Sequence, residues 1–245
     1  MTKGRRGLGP LVLLLAAIGV LILLGLGVWQ VQRLAWKNDL IARVDARVAA
    51  DPVAPPPPAQ WDAMTADQTE YLRVAVQGRF LPDDDTLVQA VTTAGSGFWV
   101  MTPFQAIDGW IVLVNRGFVP RDQRAESDRP LSTDLMTVTG LLRETQPKGA
   151  FLRKNDPTQD RWYSRDVQEI AAARNLGPVA PWFIDADDGA NGSPPDALPI
   201  GGLTVIHFPN SHLSYALTWF GMAVLLLIGV WYADRRARER QHIAQ

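Results

Sequence analysis

The chain of 245 residues contains no cysteine and only three histidines. The missing thiols exclude disulfides, thiolate metal sites, iron–sulfur clusters, cysteine nucleophiles and the thioether attachment of haem. Chemistry that needs an imidazole is confined to His207, His212 and His242. A site built on histidine therefore has few candidate positions.

A basic footprint is missing as well. The formal net charge is −1, whereas nucleic-acid-binding proteins carry clustered positive charge, so we expect no nucleic acid as a partner. The sequence also has no phosphate-binding loop, dinucleotide-binding fingerprint, G-x-S-x-G or H-E-x-x-H motif. These absences exclude the common signatures of nucleotide-dependent enzymes, serine hydrolases and zinc proteases.

Charge is absent from one long stretch, residues 7–32. Its centre, Leu11 to Val31, supplies the about 20 apolar residues that cross the core of a lipid bilayer. A cleaved signal peptide is the competing interpretation, but the run is longer than a signal-peptide core and no small-x-small cleavage site follows it. Trp29 is typical of a membrane interface. We predict a cytoplasmic N-terminus over 1–9 and a transmembrane helix over 10–32.

A second apolar run extends from Leu213 to Tyr232 and ends on an aromatic pair. Four arginines follow it, and basic residues also precede the first run. Because cytoplasmic flanks of membrane spans are rich in Lys and Arg, both termini are predicted to be cytoplasmic. We predict a second transmembrane helix over 212–233 and a basic cytoplasmic tail over 234–245, in contact with membrane lipid.

Residues 33–60 are predicted to be a helical extension followed by a proline-rich spacer, because helical spacing continues to Ala50 and four prolines then follow. Residues 61–211 form the predicted periplasmic domain. Alternating apolar residues and turn residues predict strands at 71–80, 86–91, 98–105, 110–114, 135–142 and 181–185, and a helix at 165–175. The predicted fold class is an integral membrane protein in which two transmembrane α-helices flank an α+β extramembrane domain with a mostly antiparallel β-sheet.

Some polar residues of the domain have two interpretations. Arg116 follows four apolar residues, so it either binds a carboxylate of a ligand or partner or bonds carbonyl groups or Asp108 as a structural residue. Gly117 is expected to serve a turn. The acidic triplets at 83–85 and 185–188 are expected to be solvated turns. Trp162, Tyr163 and Asp166 predict a packed aromatic corner and a helix start.

His212 is the strongest candidate for chemistry. It lies at the start of the second span, where Asn210 or Ser211 is placed to cap the helix. A helix N-terminus disfavours a protonated imidazole, and neutral imidazole is the form that ligates haem iron. Tyr215 and Trp219 follow at +3 and +7 and share its face, and Met222 continues that row. The alternative is an interfacial anchor without a ligand. His207 is a candidate for the same cofactor or a surface group, and His242 is expected to be solvated.

Four strings of the sequence, in order, are similar to motifs of one known family. They are Gly25–Arg33 with Trp36-Lys37, Trp110–Pro120 with its Asn-Arg-Gly, Asn155–Asp166, and Asn210–Gly221 with its Asn-x-His-Leu. Together they resemble the Surfeit locus protein 1 family of cytochrome c oxidase assembly proteins, in its bacterial type. One departure is Phe118, where tryptophan is common in the family.

The resemblance implies a non-enzymatic factor that assembles haem-copper cytochrome c oxidase in the bacterial cytoplasmic membrane. It implies that the protein binds haem a and assists its insertion into the oxidase core subunit, with His212 as candidate metal ligand and Tyr215, Trp219 and Arg116 as candidate cofactor contacts. Enzymes of haem a synthesis are further expected partners. Two other classes stay open: a membrane scaffold that stabilises an oxidase assembly intermediate without a cofactor, and a membrane-anchored enzyme.

Overall fold

The computed structural model describes residues 8–82, 84–125, 129–147, 153–194, 197–203 and 208–243, with the backbone alone for 240–243. The chain divides into two compact units: a helical unit of residues 1–43 and 207–245, and a barrel unit of residues 44–206. The elements in chain order are α1 (Pro10–Val48), α2 (Ala66–Thr69), β1 (Arg73–Phe80), β2 (Thr86–Thr92), β3 (Gly95–Ala106), β4 (Ile111–Pro120), β5 (Met136–Glu144), α3 (Val167–Ala173), β6 (Val179–Ala186) and α4 (His212–Ile243).

The helical unit consists of α4 and all but the last turn of α1. Both helices are long and apolar enough to cross a membrane, so the described part of the chain has two candidate membrane-spanning helices. Large apolar side chains point outward along both of them, and Leu21 and Leu225 are each 68% exposed. Burying one such side chain is worth about 1.5–3 kcal/mol. This pattern favours hydrocarbon, rather than water, as the surroundings of the two helices.

The two helices contact each other through small residues. A methyl group built on Gly27 would meet three ring carbons of Phe220 at 2.5–2.8 Å, and one built on Gly19 would meet Leu226 at 3.2 Å. Ala216 and Ala223 are both only 2% exposed. Small residues at these positions allow two helices to approach closely in a bilayer, where hydrophobic driving force between helices is weak.

The barrel unit corrects the prediction of a mostly antiparallel sheet. Strands β1, β5, β6, β4 and β3 form a closed ring, because the Gly78–Phe80 end of β1 pairs with β3. β2 pairs with β3 outside that ring. The pairing of β4 with β6 is parallel, so the sheet is mixed. The chain reaches β6 from β4 through β5 and α3, and such a crossover allows parallel pairing.

Strand β4 is buried on both faces. Val112 and Val114 face the barrel interior with Phe104, Leu142 and other apolar residues. Leu113 faces the opposite side, where it packs with Trp162 and Ile170 beneath α3. The sequence of a strand that is covered on both faces is a continuous run of apolar residues, without the alternation of apolar and polar residues seen in half-exposed strands. This is why the sequence pattern around Ile111–Val114 is apolar at every position.

The last turn of α1 is fixed within the barrel unit. Arg47 donates from its two terminal nitrogens to the carbonyl oxygens of Glu70 and Asp67, at 3.0 and 2.7 Å. Arg73 donates to the carbonyl oxygen of Val48 at 3.2 Å, so a cation caps the helix C-terminus. The helix ends there, shortly before Pro52 and the prolines at 55–58.

Candidate functional site

His212 is the first residue of α4, and a residue of α1 holds its imidazole. The ring nitrogen Nδ1 lies 2.7 Å from the side-chain oxygen Oε1 of Gln30. An amide oxygen only accepts hydrogen bonds, so Nδ1 is the donor of this pair and Nε2 is the ring nitrogen that takes no part in it. Gln30 is 8% exposed, which places this hydrogen bond in a largely apolar interface. Fixing one ring nitrogen in this way orients the other as a metal ligand.

The packing of the two helices explains why this pair forms. Gly27 lies one turn before Gln30 on α1, and its missing side chain accommodates the ring of Phe220. Ala216 lies one turn after His212 on α4 and is buried. Residues three and four apart share one face of a helix, so the same close contact that needs Gly27 and Ala216 also brings Gln30 to His212.

Tyr215, Trp219 and Met222 form a row beside this contact. Tyr215 is 54% exposed and Met222 is 37% exposed. The indole Nε1 of Trp219 is buried and, within the described part of the chain, has no hydrogen-bond partner. The row therefore offers an exposed aromatic and thioether surface, formed by Tyr215 and Met222, on the face that His212 begins.

Polar contacts also surround the start of α4. The side-chain amide of Asn210 donates to Oδ1 of Asn38 at 2.8 Å, and its own Oδ1 has no hydrogen-bond partner within the described part of the chain. Of the two predicted caps, Asn210 and Ser211, Asn210 therefore does not cap α4. The ammonium of Lys37 lies 5.1 Å from the ring centre of Phe208. His207 lies outside the described residues, and His242 belongs to the last turn of α4, where only the backbone is described.

Arg116 is fully buried in β4, within the barrel unit. Its Nε donates to the carbonyl oxygen of Asn191 at 2.9 Å, and Nη2 donates to the carbonyl oxygen of Pro130 at 2.6 Å. Burial lowers the pKa of Arg116 to about 10, while the nearby Asp85 opposes that change. These contacts match the structural interpretation, with Asp85 in place of Asp108. A role in binding a cofactor stays a prediction, and one that this burial disfavours.

Gly117 does not serve a turn. It lies inside β4 with φ +131°, where a side chain would collide with the backbone of Ile200. Phe118 and Ile200 exchange backbone hydrogen bonds of 2.9 Å at the same place. The glycine is required because another segment of backbone crosses the strand there.

The acidic triplets are not simply solvated turns. Asp185 is 4% exposed and binds Arg143 at 2.7 Å, Arg165 at 3.1 Å and the amide of Asn115 at 2.7 Å. Asp85 pairs with Arg129. Burial lowers the pKa of Arg165, whereas Asp185 and Glu70 outweigh burial and raise the pKa of Arg143. The pair of Asp185 with Arg143 joins β6 to β5, and the pair with Arg165 fixes the segment before α3 to β6. Asp83 lies outside the described residues.

The Asn155–Asp166 string forms the predicted corner. Oδ1 of Asn155 accepts hydrogen bonds from the backbone of Tyr163 and Ser164, at 2.7 and 3.0 Å. Trp162 is 1% exposed, and Asp166 caps α3 by accepting from the backbone of Glu169 at 3.1 Å. The structural interpretation of these residues is confirmed.

Comparison with known proteins decides the family. A sequence model of the SURF1 family matches residues 17–224, which is most of the chain and includes both His212 and Gln30. The chain belongs to the SURF1 family.

Curated relatives agree with this assignment. A SURF1-like protein of Monosiga brevicollis is 38% identical over 227 residues, covering 86% of this chain and 83% of the relative. Surfeit locus protein 1 of Rattus norvegicus is 38% identical over 216 residues, covering 81% and 67%. Surfeit locus protein 1 of Homo sapiens is 36% identical over 221 residues, covering 81% and 69%.

The strings that resemble the SURF1 family divide between the two units. Gly25–Arg33 contains Gly27 and Gln30 of α1, and Asn210–Gly221 contains His212 and Phe220 of α4. These two strings meet at the His212–Gln30 hydrogen bond. The other two, with Arg116 and Asn155, build the barrel unit. The sequence signal that was available for Gln30 was a polar side chain within an apolar span, which by default indicates function.

Proposed function

We propose that this protein is a membrane-bound, non-enzymatic assembly factor for haem-copper cytochrome c oxidase. In this proposal it binds haem a through His212 and assists the insertion of haem a into the oxidase core subunit. The observation that carries the proposal is the hydrogen bond from Nδ1 of His212 to Gln30, at the start of a candidate membrane helix, in a chain of the SURF1 family.

The residues around His212 fit a haem group. Haem iron accepts a neutral imidazole nitrogen as an axial ligand, and Nε2 of His212 is the nitrogen left free. Tyr215 and Met222 are exposed next to it, and they offer the flat apolar surface that a macrocycle needs.

We further infer that the two candidate helices cross the cytoplasmic membrane of a bacterium, with both termini in the cytoplasm and the barrel unit in the periplasm. The support is the distribution of charge: basic residues precede α1, and Arg235, Arg236 and Arg238 occupy the last turns of α4. Lys and Arg accumulate on the cytoplasmic side of membrane spans.

A scaffold that steadies an oxidase assembly intermediate without a cofactor is the second candidate. The exposed side chains of Tyr215 and Met222 also favour this function, because a partner helix can pack against them as well as a cofactor can. Arg116 belongs to the barrel structure in both proposals, since its donors point into the domain.

The proposed function is tested by deleting the gene for this protein and measuring membrane-bound haem a and oxidase activity. We expect both to fall and to return when the wild-type gene is supplied. A His212→Ala gene should restore neither, while a Tyr232→Phe control, at the far end of α4, should restore both. Unchanged oxidase in the deletion strain would contradict an assembly role. Full rescue by His212→Ala would favour the scaffold.

A further inference from the structure

Among the described residues, β2 is paired with another strand along one edge only. It pairs with β3, and the barrel closes without it through β1 and β3. A two-residue loop separates the paired residues Thr92 and Gly95. In such an antiparallel pair alternate residues face the partner strand, so Val91 and Gln89 direct their backbone N–H and C=O groups away from β3.

Another segment of the chain already uses part of this edge. The backbone N–H of Gln89 donates to the carbonyl oxygen of Trp162 at 2.9 Å, and Val88 and Trp162 form a parallel bridge. The contact ends there. Further along, the side chain of Val91 is 84% exposed, and its outward backbone groups have no partner within the described ranges. The edge therefore pairs with extended backbone at Gln89. At Val91, the next outward-facing residue, the described residues leave this edge unpaired.

Two neighbouring surface clefts follow the same edge. Their volumes are about 770 and 460 Å³, and they share Gln89, Arg121 and Tyr163. Leu87 and Phe98 line the first cleft, and Val91 lines the second. Along the clefts, apolar side chains therefore lie beside the outward-facing backbone groups of β2. An extended peptide can bind such a surface, because its backbone pairs with the edge and its side chains enter the clefts.

The described lining of the clefts is positively charged. It contains four arginines, Arg121, Arg124, Arg153 and Arg161, against two aspartates, Asp122 and Asp160. Asp160 is already paired with Arg174 at 2.6 Å. The guanidinium of Arg153 lies 5.5 Å from the ring centre of Tyr163, which holds it over the second cleft. Arginines in this arrangement favour carboxylates.

We propose that β2 is a docking edge for an acidic, extended segment of a partner protein. The segment adds a strand beside Gln89 and Val91, and its carboxylates pair with Arg121 and Arg153. Strand addition distinguishes this partner from a lipid headgroup or a free phosphate, which satisfy the arginines but have no backbone to pair with the edge. The proposal does not depend on haem binding.

The charge requirement is tested with the full-length protein in detergent and a fluorescein-labelled peptide of alternating valine and glutamate. A matched peptide carries lysine in place of glutamate. We expect saturable binding of the glutamate peptide by fluorescence anisotropy. The Arg121→Glu, Arg153→Glu double variant should bind it roughly tenfold more weakly, since each exposed ion pair contributes modestly. Arg79→Glu, an exposed arginine of β1, is the control and should bind normally. Equal binding of both peptides, or no effect of the double variant, would overturn the proposal.

The backbone requirement is tested with Val91→Pro. Proline removes an N–H that points away from β3, so it leaves the β2–β3 ladder intact. We expect weaker binding of the glutamate peptide in Val91→Pro and normal binding in Val91→Thr. Hydrogen exchange of the segment 86–92 should slow when the peptide is added to the wild-type protein. Unchanged affinity in Val91→Pro would show that the arginines bind the peptide without strand addition and would contradict the docking edge.

Discussion

Nδ1 of His212 and the side-chain oxygen of Gln30 lie 2.7 Å apart, although 182 positions separate the two residues in the chain. The hydrogen bond joins the two candidate membrane helices and selects which imidazole nitrogen is left free. It makes Gln30 a positioning residue for the proposed haem ligand. The consequences for binding and for helix packing can be measured separately.

Replacing Gln30 tests its positioning role. Gln30→Leu removes the acceptor for Nδ1 of His212, so the imidazole loses its fixed orientation. We expect the dissociation constant for haem a to rise roughly 10–100-fold, as for other groups that orient a metal-binding histidine. The measurement is a titration of the purified protein followed by absorbance. Gln32→Leu, an exposed glutamine of the same helix, should bind as the wild type does. Normal affinity in Gln30→Leu would show that the hydrogen bond has no part in binding.

The contact between the helices is tested at Gly27. Gly27→Ala forces the ring of Phe220 to move, because the new methyl group would meet it at 2.5–2.8 Å. We expect a loss of stability of about 1–3 kcal/mol, typical of overpacking, seen as a lower thermal midpoint in detergent. Gly25→Ala is the matched control, since its methyl group would meet no described atom within 4 Å apart from its chain neighbours and the backbone of its own helix. Combining Gly27→Ala with Phe220→Leu should recover part of the loss. Equal effects of the two single glycine changes would be incompatible with close packing at Gly27.

Much of this architecture was predictable from local pattern. Five of the six strands were predicted close to their observed positions because apolar alternation and turn residues are local signals. The prediction for β4 ended at Val114, whereas the strand continues to Pro120. The Asp108-Gly109 dipeptide, a local signal for a hairpin, lies in the turn between β3 and β4, with φ +90° at Gly109. The closed ring was not predictable in this way. It depends on three residue pairs between β1 and β3 and on the parallel pairing of β4 with β6, and neither leaves a local signal.

The predictions for polar residues likewise succeeded where the partner is close in sequence and failed where the partner is distant. Asp166 was predicted at the start of a helix, because the partner of a capping residue is three positions away. Asp185 was predicted to be solvated, because its partners Arg143 and Arg165 come from distant parts of the chain. The local sequence does not distinguish an aspartate in a solvated turn from a buried aspartate that pairs with two arginines. Only the fold distinguishes them.

The buried ion pairs predict a large effect at Asp185. Asp185→Asn keeps the shape of the side chain but leaves Arg143 and Arg165 without their shared carboxylate. Breaking a buried pair from one side costs about 3–5 kcal/mol. We expect this loss in denaturant unfolding of the detergent-solubilised protein, followed by tryptophan fluorescence. Asp188→Asn, an exposed neighbour, should change stability little. If the two variants were equally stable, the buried cluster would not hold the barrel together.

Replacing Arg116 tests whether this residue stabilises the barrel or binds the cofactor. Arg116→Gln removes donors to the carbonyl oxygens of Asn191 and Pro130. We expect a loss of about 3–5 kcal/mol, because buried acceptors lose their charged partner. The fraction that remains folded should still bind haem a with the wild-type stoichiometry, measured by absorbance after gel filtration. Normal stability together with lost haem would assign Arg116 to a propionate instead.

The central claim, that this protein binds haem a through His212, is tested most directly by one absorption spectrum. Wild-type protein and His212→Ala are purified side by side in detergent from a host that makes haem a. We expect a haem a spectrum from the wild type, and its loss from His212→Ala at the same yield of folded protein. A wild-type protein that is colourless when haem a is abundant, or a His212→Ala variant that keeps the full spectrum, would contradict the account.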